Sequence, residues 1–236
     1  MHRLIAAIAA SIAFAASSWA AENVTLIHAG QLLAVPGESP GRNRTIVVED
    51  GRITDVRNGF VEATSIVAAL EAGVASIEHG SYTGPRAIKL FNETGAYLVP
   101  TLLAGKTVAT LAVEADFMSD VVKMKAIRVG NDMAGNFEKA HKAGVNIAFG
   151  TDSGISPHGT NAEGAALMVE AGMSEMDVIV AATINAADLI DMSDSLGTIE
   201  GGKFADIVAV DRSPLENIEE LLDVDFVMKG GTVCKQ

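Results

Sequence analysis

The hydrophobic pattern changes period three times along the chain. Behind His2 and Arg3, Leu4 to Ala16 is an almost unbroken apolar run, followed by Ser18-Trp19-Ala20. That order of basic start, apolar stretch and small-residue end predicts a secretory signal peptide over 1–20, cut after Ala20. Short β patterns follow at Val24 to His28 and Thr45 to Glu49. Asp50-Gly51 then predicts a hairpin turn into Arg52 to Val56. The Pro- and Gly-rich stretch from Pro36 to Gly41 predicts a loop.

From residue 61 to 192 helical and strand patterns alternate. Ile66, Ala69, Leu70 and Val74 keep helical spacing, with a stop at Gly73. Strands are predicted at 75–78, 96–100 and 145–149. Helices are predicted at 85–94, 108–143, 163–171 and 176–190. Helix 85–94 starts on Pro85 and stops at Gly95. Such alternation predicts an α/β fold with a parallel sheet and right-handed crossovers. After 192 the pattern returns to β at 206–210, 225–228 and 232–233.

The economical layout is a composite β-sandwich built from 21–60 and 193–236 around an α/β section at 61–192. A complete eightfold strand–helix barrel takes about 250 residues. The α/β section has about 130, enough for roughly half a barrel by the same yardstick. Half a barrel leaves two sheet edges open.

Charge and cysteine content narrow the partners. Losing the signal removes Arg3 and leaves 16 bases against 30 acids, a formal charge of −14. An acidic surface of that size argues against nucleic acid and anionic membranes. No segment after the signal has the ~18 apolar residues of a membrane span. Cys234 is the only cysteine, so no intrachain disulfide can form, and no histidine stands near it in sequence to make it a nucleophile.

Two strand ends carry the candidate chemistry. Ala75-Ser76-Ile77-Glu78-His79-Gly80 ends on an imidazole. Asn146-Ile147-Ala148-Phe149-Gly150-Thr151-Asp152-Ser153-Gly154 ends on a Gly-flanked acid. In strand–helix barrels, catalytic groups collect at these strand ends. Alone, Asp152 also suits an Asx turn, and His158, between Pro157 and Gly159, also suits an exposed loop. His28 and His141 read as structural and exposed positions, and Asn185 as a helix-packing contact.

The motifs together resemble secreted members of the metal-dependent amidohydrolase superfamily, in the imidazolonepropionase-like and Xaa-Pro dipeptidase-like branch. The matching pieces include Leu26-Ile27-His28-Ala29-Gly30, Ile77-Glu78-His79-Gly80-Ser81, Leu98-Val99-Pro100-Thr101-Leu102 and Phe149-Gly150-Thr151-Asp152-Ser153-Gly154. They continue through Ala182-Thr183-Ile184-Asn185-Ala186-Ala187 to Gly197-Thr198-Ile199-Glu200-Gly201-Gly202-Lys203. The resemblance implies a partial TIM-like (β/α) barrel, about its C-terminal half, beside a composite β-sandwich. It also implies zinc or another divalent metal. His79 matches the sixth-strand metal ligand. Asp152 matches the last-strand acid, a metal ligand that also accepts the proton of the attacking water. His158 matches a substrate-contacting loop residue.

The chain also departs from the family. No His-x-His occurs, and Val61-Glu62-Ala63-Thr64-Ser65 stands where a His-rich fifth strand would end. No lysine precedes it in the barrel to bridge two metals. The join near Gly59-Phe60-Val61 therefore reads as an internal deletion of the first half of the barrel. The family reading implies hydrolysis of amide bonds in dipeptides, N-acyl amino acids or cyclic amides, weak or absent in this chain. A different class is a non-catalytic secreted binding protein that completes its barrel by forming a homo-oligomer.

Overall fold

A computed structural model of the chain describes residues 24–32, 34, 39–49, 52–58, 64–114 and 116–236. The expected signal peptide, the Pro36 end of the first loop, the Asp50-Gly51 turn and the join at 59–61 lie outside the described residues. The chain divides into two compact units, 1–61 and 62–236.

The first unit holds three antiparallel strands in chain order: β1 (Val24–Leu32), β2 (Gly41–Glu49) and β3 (Arg52–Asn58). The ladder pairs Val24 with Glu49 and runs to Leu32 opposite Gly41. Thr45 and Val47, two residues apart, are buried on one face, as a period of two requires. A register shift at Val47/Val48 marks a bulge. β1 and β2 are longer than the apolar pattern predicts. Backbone pairing continues past it, through Gln31 opposite Arg42.

The second unit begins with α1 (Thr64–Glu71), β4 (Ser76–Glu78), α2 (Pro85–Thr94) and β5 (Tyr97–Val99). Pro85 pre-sets the first turn of α2. Gly95 then ends the helix in the left-handed region, donating its N–H back to the Phe91 carbonyl. Next come α3 (Leu102–Glu114), α4 (Asp120–Lys142) and β6 (Asn146–Ile147). β4, β5 and β6 form a parallel sheet in that order, with Ser76 beside Tyr97 and Tyr97 beside Asn146. No closed barrel forms among the described residues. β4 and β6 are the two edges.

The single helix expected over 108–143 is a helical hairpin. α3 starts directly after Pro100-Thr101, and the chain breaks before Asp120, with Ser119 extended at the N-cap (φ −67°, ψ 153°). Small residues let the two helices close on each other. A Cβ built on Gly130 would lie 2.5 Å from the Gly105 carbonyl oxygen, so the backbones are in contact there. The expected strand 145–149 shortens to two residues. The Phe149 N–H leaves the ladder and donates to the Ala181 carbonyl at 2.9 Å.

α5 (Glu163–Glu170), α6 (Glu175–Ala182) and α7 (Ile184–Leu189) complete the helices. The expected helix 176–190 breaks at Thr183 (φ −124°, ψ −76°), whose hydroxyl donates to the Ile179 carbonyl. Ser174 caps α6 by accepting from the Asp177 N–H. A continuous core joins these elements. Phe91 of α2, Leu98 of β5, Phe137 of α4, Ile147 of β6, Met168 of α5 and Val178 of α6 are all within 2% of full burial.

The tail forms a second antiparallel sheet, β7 (Ile207–Ala209), β8 (Phe226–Lys229) and β9 (Thr232–Lys235), with a 3-10 turn at Ile218–Leu222. Cys234 lies in β9 and is exposed. Lys229 pairs with Asp206, and the Gly230 N–H donates to the same carboxylate at 2.7 Å. In that order, these two contacts hold the Asp206 carboxyl below the usual carboxylate range. Each terminal segment thus makes a three-stranded sheet of its own.

Candidate active site

The parallel sheet brings three chain segments to one rim. His79 follows the last residue of β4, Thr101 comes two residues after β5, and Asp152 lies in the loop after β6. The His79 N–H donates to the Val99 carbonyl at 2.9 Å, carrying the ladder one step beyond β4. All three residues have positive φ: 66° at His79, 45° at Thr101 and 53° at Asp152. Non-glycine residues pay of order 1–3 kcal/mol for such backbone, and a β-branched threonine is the most strained of them.

Close packing under the rim holds that geometry. A Cβ on Gly150 would fall 2.4 Å from Val99 Cγ1, and one on Gly80 would fall 2.5 Å from Leu98 Cδ1. Glycine at these strand ends lets the rim loops descend onto β5. The loop after His79 is pinned twice. Thr83 Oγ1 donates to the Gly80 carbonyl at 2.8 Å, and Asn136 Nδ2 of α4 donates to the Ser81 carbonyl. The loop after β6 is held by Ser153 Oγ donating to Asn161 Oδ1 (3.2 Å) and Thr160 Oγ1 donating to the Pro157 carbonyl (2.9 Å).

Among the described residues the imidazole of His79 has one hydrogen-bond partner. Its Nδ1 and Thr101 Oγ1 share a hydrogen bond of 2.7 Å. Thr101 is 3% exposed, so it is a fixed post, and its carbonyl also accepts from the Gly105 N–H at the start of α3. In the tautomer that carries its proton on Nδ1 and donates it to Thr101, the Nε2 lone pair is left available at the rim. This is how a histidine is oriented for ligation or proton transfer. The sequence carried this signal in Val99-Pro100-Thr101, a residue just past a strand end, but its side chain shows a role only when set beside His79.

Asp152 and His158 are both exposed on the loop after β6. No hydrogen bond or ion pair joins His79, Asp152 and His158 to one another among the described residues. A catalytic zinc needs three protein ligands and an open position. Among the described residues no three His, Cys, Asp or Glu side chains come together closely enough to hold a metal ion. The donor set therefore does not fit the metal that the motifs imply. Asn185 Nδ2 donates to the Ile147 carbonyl at 2.8 Å, the packing contact expected of it. His141 is half-buried and stacks on Phe137 with ring centroids 6.2 Å apart, instead of facing solvent freely. The side chain of His28 lies outside the described residues.

A cleft of about 760 Å³ lies elsewhere, between α6, α7 and β7. Val178, Ile179, Ala186 and Val208 are among its walls, and Asp206 is the single ionisable side chain on its lining. It offers apolar surface and no acid–base pair.

The architecture has known counterparts. The profile of the Amidohydrolase family matches residues 53–234. This chain belongs to the amidohydrolase family. Ochratoxinase of Aspergillus niger is 32% identical over 203 residues, which cover 84% of this chain and 42% of that enzyme. The crystal structure of a Xaa-Pro dipeptidase with methionine bound in its active site matches with a TM-score of 0.71 and 43% identity. The match covers 74% of this chain and 43% of the dipeptidase. The crystal structure of A. niger ochratoxinase matches with a TM-score of 0.63 and 31% identity, over 74% of this chain and 41% of the other. This family member thus spans less than half the length of the relatives it matches. That share is consistent with an internally deleted barrel.

Proposed function

We propose that this chain descends from a metal-dependent hydrolase of amide C–N bonds and has weak or no hydrolytic activity of its own. The observation that carries this reading is the rim itself. The family resemblance extends over most of the chain, yet among the described residues the rim offers His79 and Asp152 without a third donor. In this reading His79, with Thr101 behind it, and Asp152 are a retained ligand and a retained proton acceptor. His158 is a retained substrate contact. Zinc or a similar divalent ion would supply Lewis-acid chemistry in a complete site. No catalytic step is assigned to this chain, because the donor set stops at two. Substrates of the ancestral reaction would be dipeptides, N-acyl amino acids or cyclic amides. The leader at 1–20 supports export to the periplasm or medium. The two terminal β segments are proposed to form the sandwich flanking the partial barrel, with boundaries at 21–60 and 193–236.

Metal per chain, measured on the purified protein and after zinc addition, tests this directly, together with turnover of Xaa-Pro dipeptides and N-acyl amino acids. The expected result is well under one ion per chain and no turnover above background. Stoichiometric metal with turnover that disappears in Asp152→Asn would overturn it.

The open edges of β4 and β6 favour a second reading, a non-catalytic interaction protein. Unpaired strand edges invite another chain, and a second copy could extend the sheet there. Partial protection of β4 and β6 amides from hydrogen exchange, increasing with protein concentration, would support it. Exchange independent of concentration would remove it.

A further inference from the structure

A second cavity, of about 420 Å³, opens between α3, α4 and α5, within the size range of small-molecule sites. Each helix turns one face to it. Leu102, Lys106 and Thr110 step by four along α3, Asn131 comes from α4, and Leu167 and Glu170 stand three apart on α5. Leu102 is buried and Leu167 half-buried, so the floor is aliphatic. The cavity shares no residue with the rim: His79, Thr101, Asp152 and His158 are all absent from its lining.

The polar groups on its walls are free to meet a ligand. Lys106, Thr110, Asn131 and Glu170 are exposed, and none makes a hydrogen bond or ion pair among the described residues. Charges along α4 behave otherwise, with Arg128 paired to Asp132 and Lys142 to Glu138. Lys106 and Glu170 line one cavity yet do not pair with each other. An ammonium and a carboxylate held apart across a cavity set up a local field with two poles. A singly charged ligand answers one pole and leaves the other unmatched. A zwitterion answers both. Thr110, one turn beyond Lys106, adds a hydroxyl donor on the cationic side, and the aliphatic floor accepts a side chain.

We propose that the α3–α4–α5 cavity binds a free α-amino acid with an aliphatic side chain. Lys106 takes the carboxylate, Glu170 takes the ammonium, and the side chain lies over Leu102 and Leu167. The site stands apart from the rim and does not depend on whether the rim hydrolyses anything.

Titration of the full chain with L-leucine, followed by amide chemical shifts, tests it. One saturable site is expected, with its shifts on 106–110 of α3, on Asn131 and on Glu170. Lys106→Met and Glu170→Gln each weaken L-leucine about fivefold, the upper end for an ion pair still open to water. Two analogues assign the poles. L-leucinamide lacks the carboxylate and binds wild type and Lys106→Met equally. N-acetyl-L-leucine lacks the ammonium and binds wild type and Glu170→Gln equally. On the wild type alone, both analogues bind more weakly than L-leucine, a comparison that needs no variant to fold. Equal binding of all three ligands overturns the proposal. So do L-leucine shifts that never saturate, shifts confined to the loops after β4 and β6, or unchanged L-leucine affinity in both variants.

Discussion

The two ends of the β4–β5–β6 sheet are built on opposite terms. At the N-terminal end every named polar group has a partner. Tyr97 OH donates to Asp188 Oδ2 at 2.7 Å, Asn146 Nδ2 donates to the Gly95 carbonyl, and Asn92 Nδ2 donates to the Ala143 carbonyl. At the C-terminal end His79, Thr101 and Asp152 sit in left-handed backbone, and the exposed Asp152 carboxylate makes no hydrogen bond or ion pair among the described residues. One end spends its residues on closure. The other keeps donors and acceptors in strained positions, as a surface built for a ligand does.

The contrast can be broken from its foundation upward. Phe91→Ala removes a ring that is 1% exposed in the core shared by both ends, and should cost about 3–5 kcal/mol in urea unfolding. A loss below 1 kcal/mol would mean the core collapses around the gap. Gly150→Ala tests the close approach at the rim. Its Cβ would meet Val99 Cγ1 at 2.4 Å, and about 1–3 kcal/mol of destabilisation is expected from overpacking. An unchanged midpoint would show that Val99 moves aside freely.

Tyr97→Phe tests the closed end and should cost about 1 kcal/mol. It also carries a pH signature. Burial first, then the hydrogen bond to Asp188 and its charge, push the Tyr97 hydroxyl up to about 12 from its ordinary value of 10. Because the folded value is the higher one, the stabilisation is full below pH 10 and is lost as pH rises from 10 through about 12. Urea unfolding followed across that window should therefore show a fall in stability that Tyr97→Phe lacks. The smallest effect belongs to Asp152→Gly. Relief of positive φ at an exposed residue should offset the entropy of glycine and raise stability by a few tenths of a kcal/mol. A lower melting temperature would show that the Asp152 side chain is held by a contact that matters.

Much of this was legible in the sequence. Pro85 and Gly95 fixed α2 at both ends, and the two strand-end motifs placed His79 and Asp152 on one rim. What stayed hidden depended on contacts between distant residues. The apolar pattern runs through 108–143 and misses the hairpin, because Gly105 and Gly130 matter only once they touch. The 145–149 run is apolar enough for a five-residue strand, yet Phe149 gives its N–H to Ala181, far along the chain. Thr101 was part of a recognised motif, but its hydroxyl has meaning only 2.7 Å from His79. Ser119 stands at the N-cap of α4 without a side-chain capping bond, so little in the local sequence marks the start of that helix.

The Gly105–Gly130 contact also bears on the order in which the molecule assembles. β5 and β6 are neighbours in the sheet but are separated in sequence by the whole of α3 and α4. A hairpin zipped by local contacts returns the chain to its starting point before any strand pairing. It thereby turns a long loop closure into a short one, and lowers the entropy that the parallel ladder must overcome. The α3–α4 pair is then the natural nucleus of this unit, and the sheet that carries the rim forms around it.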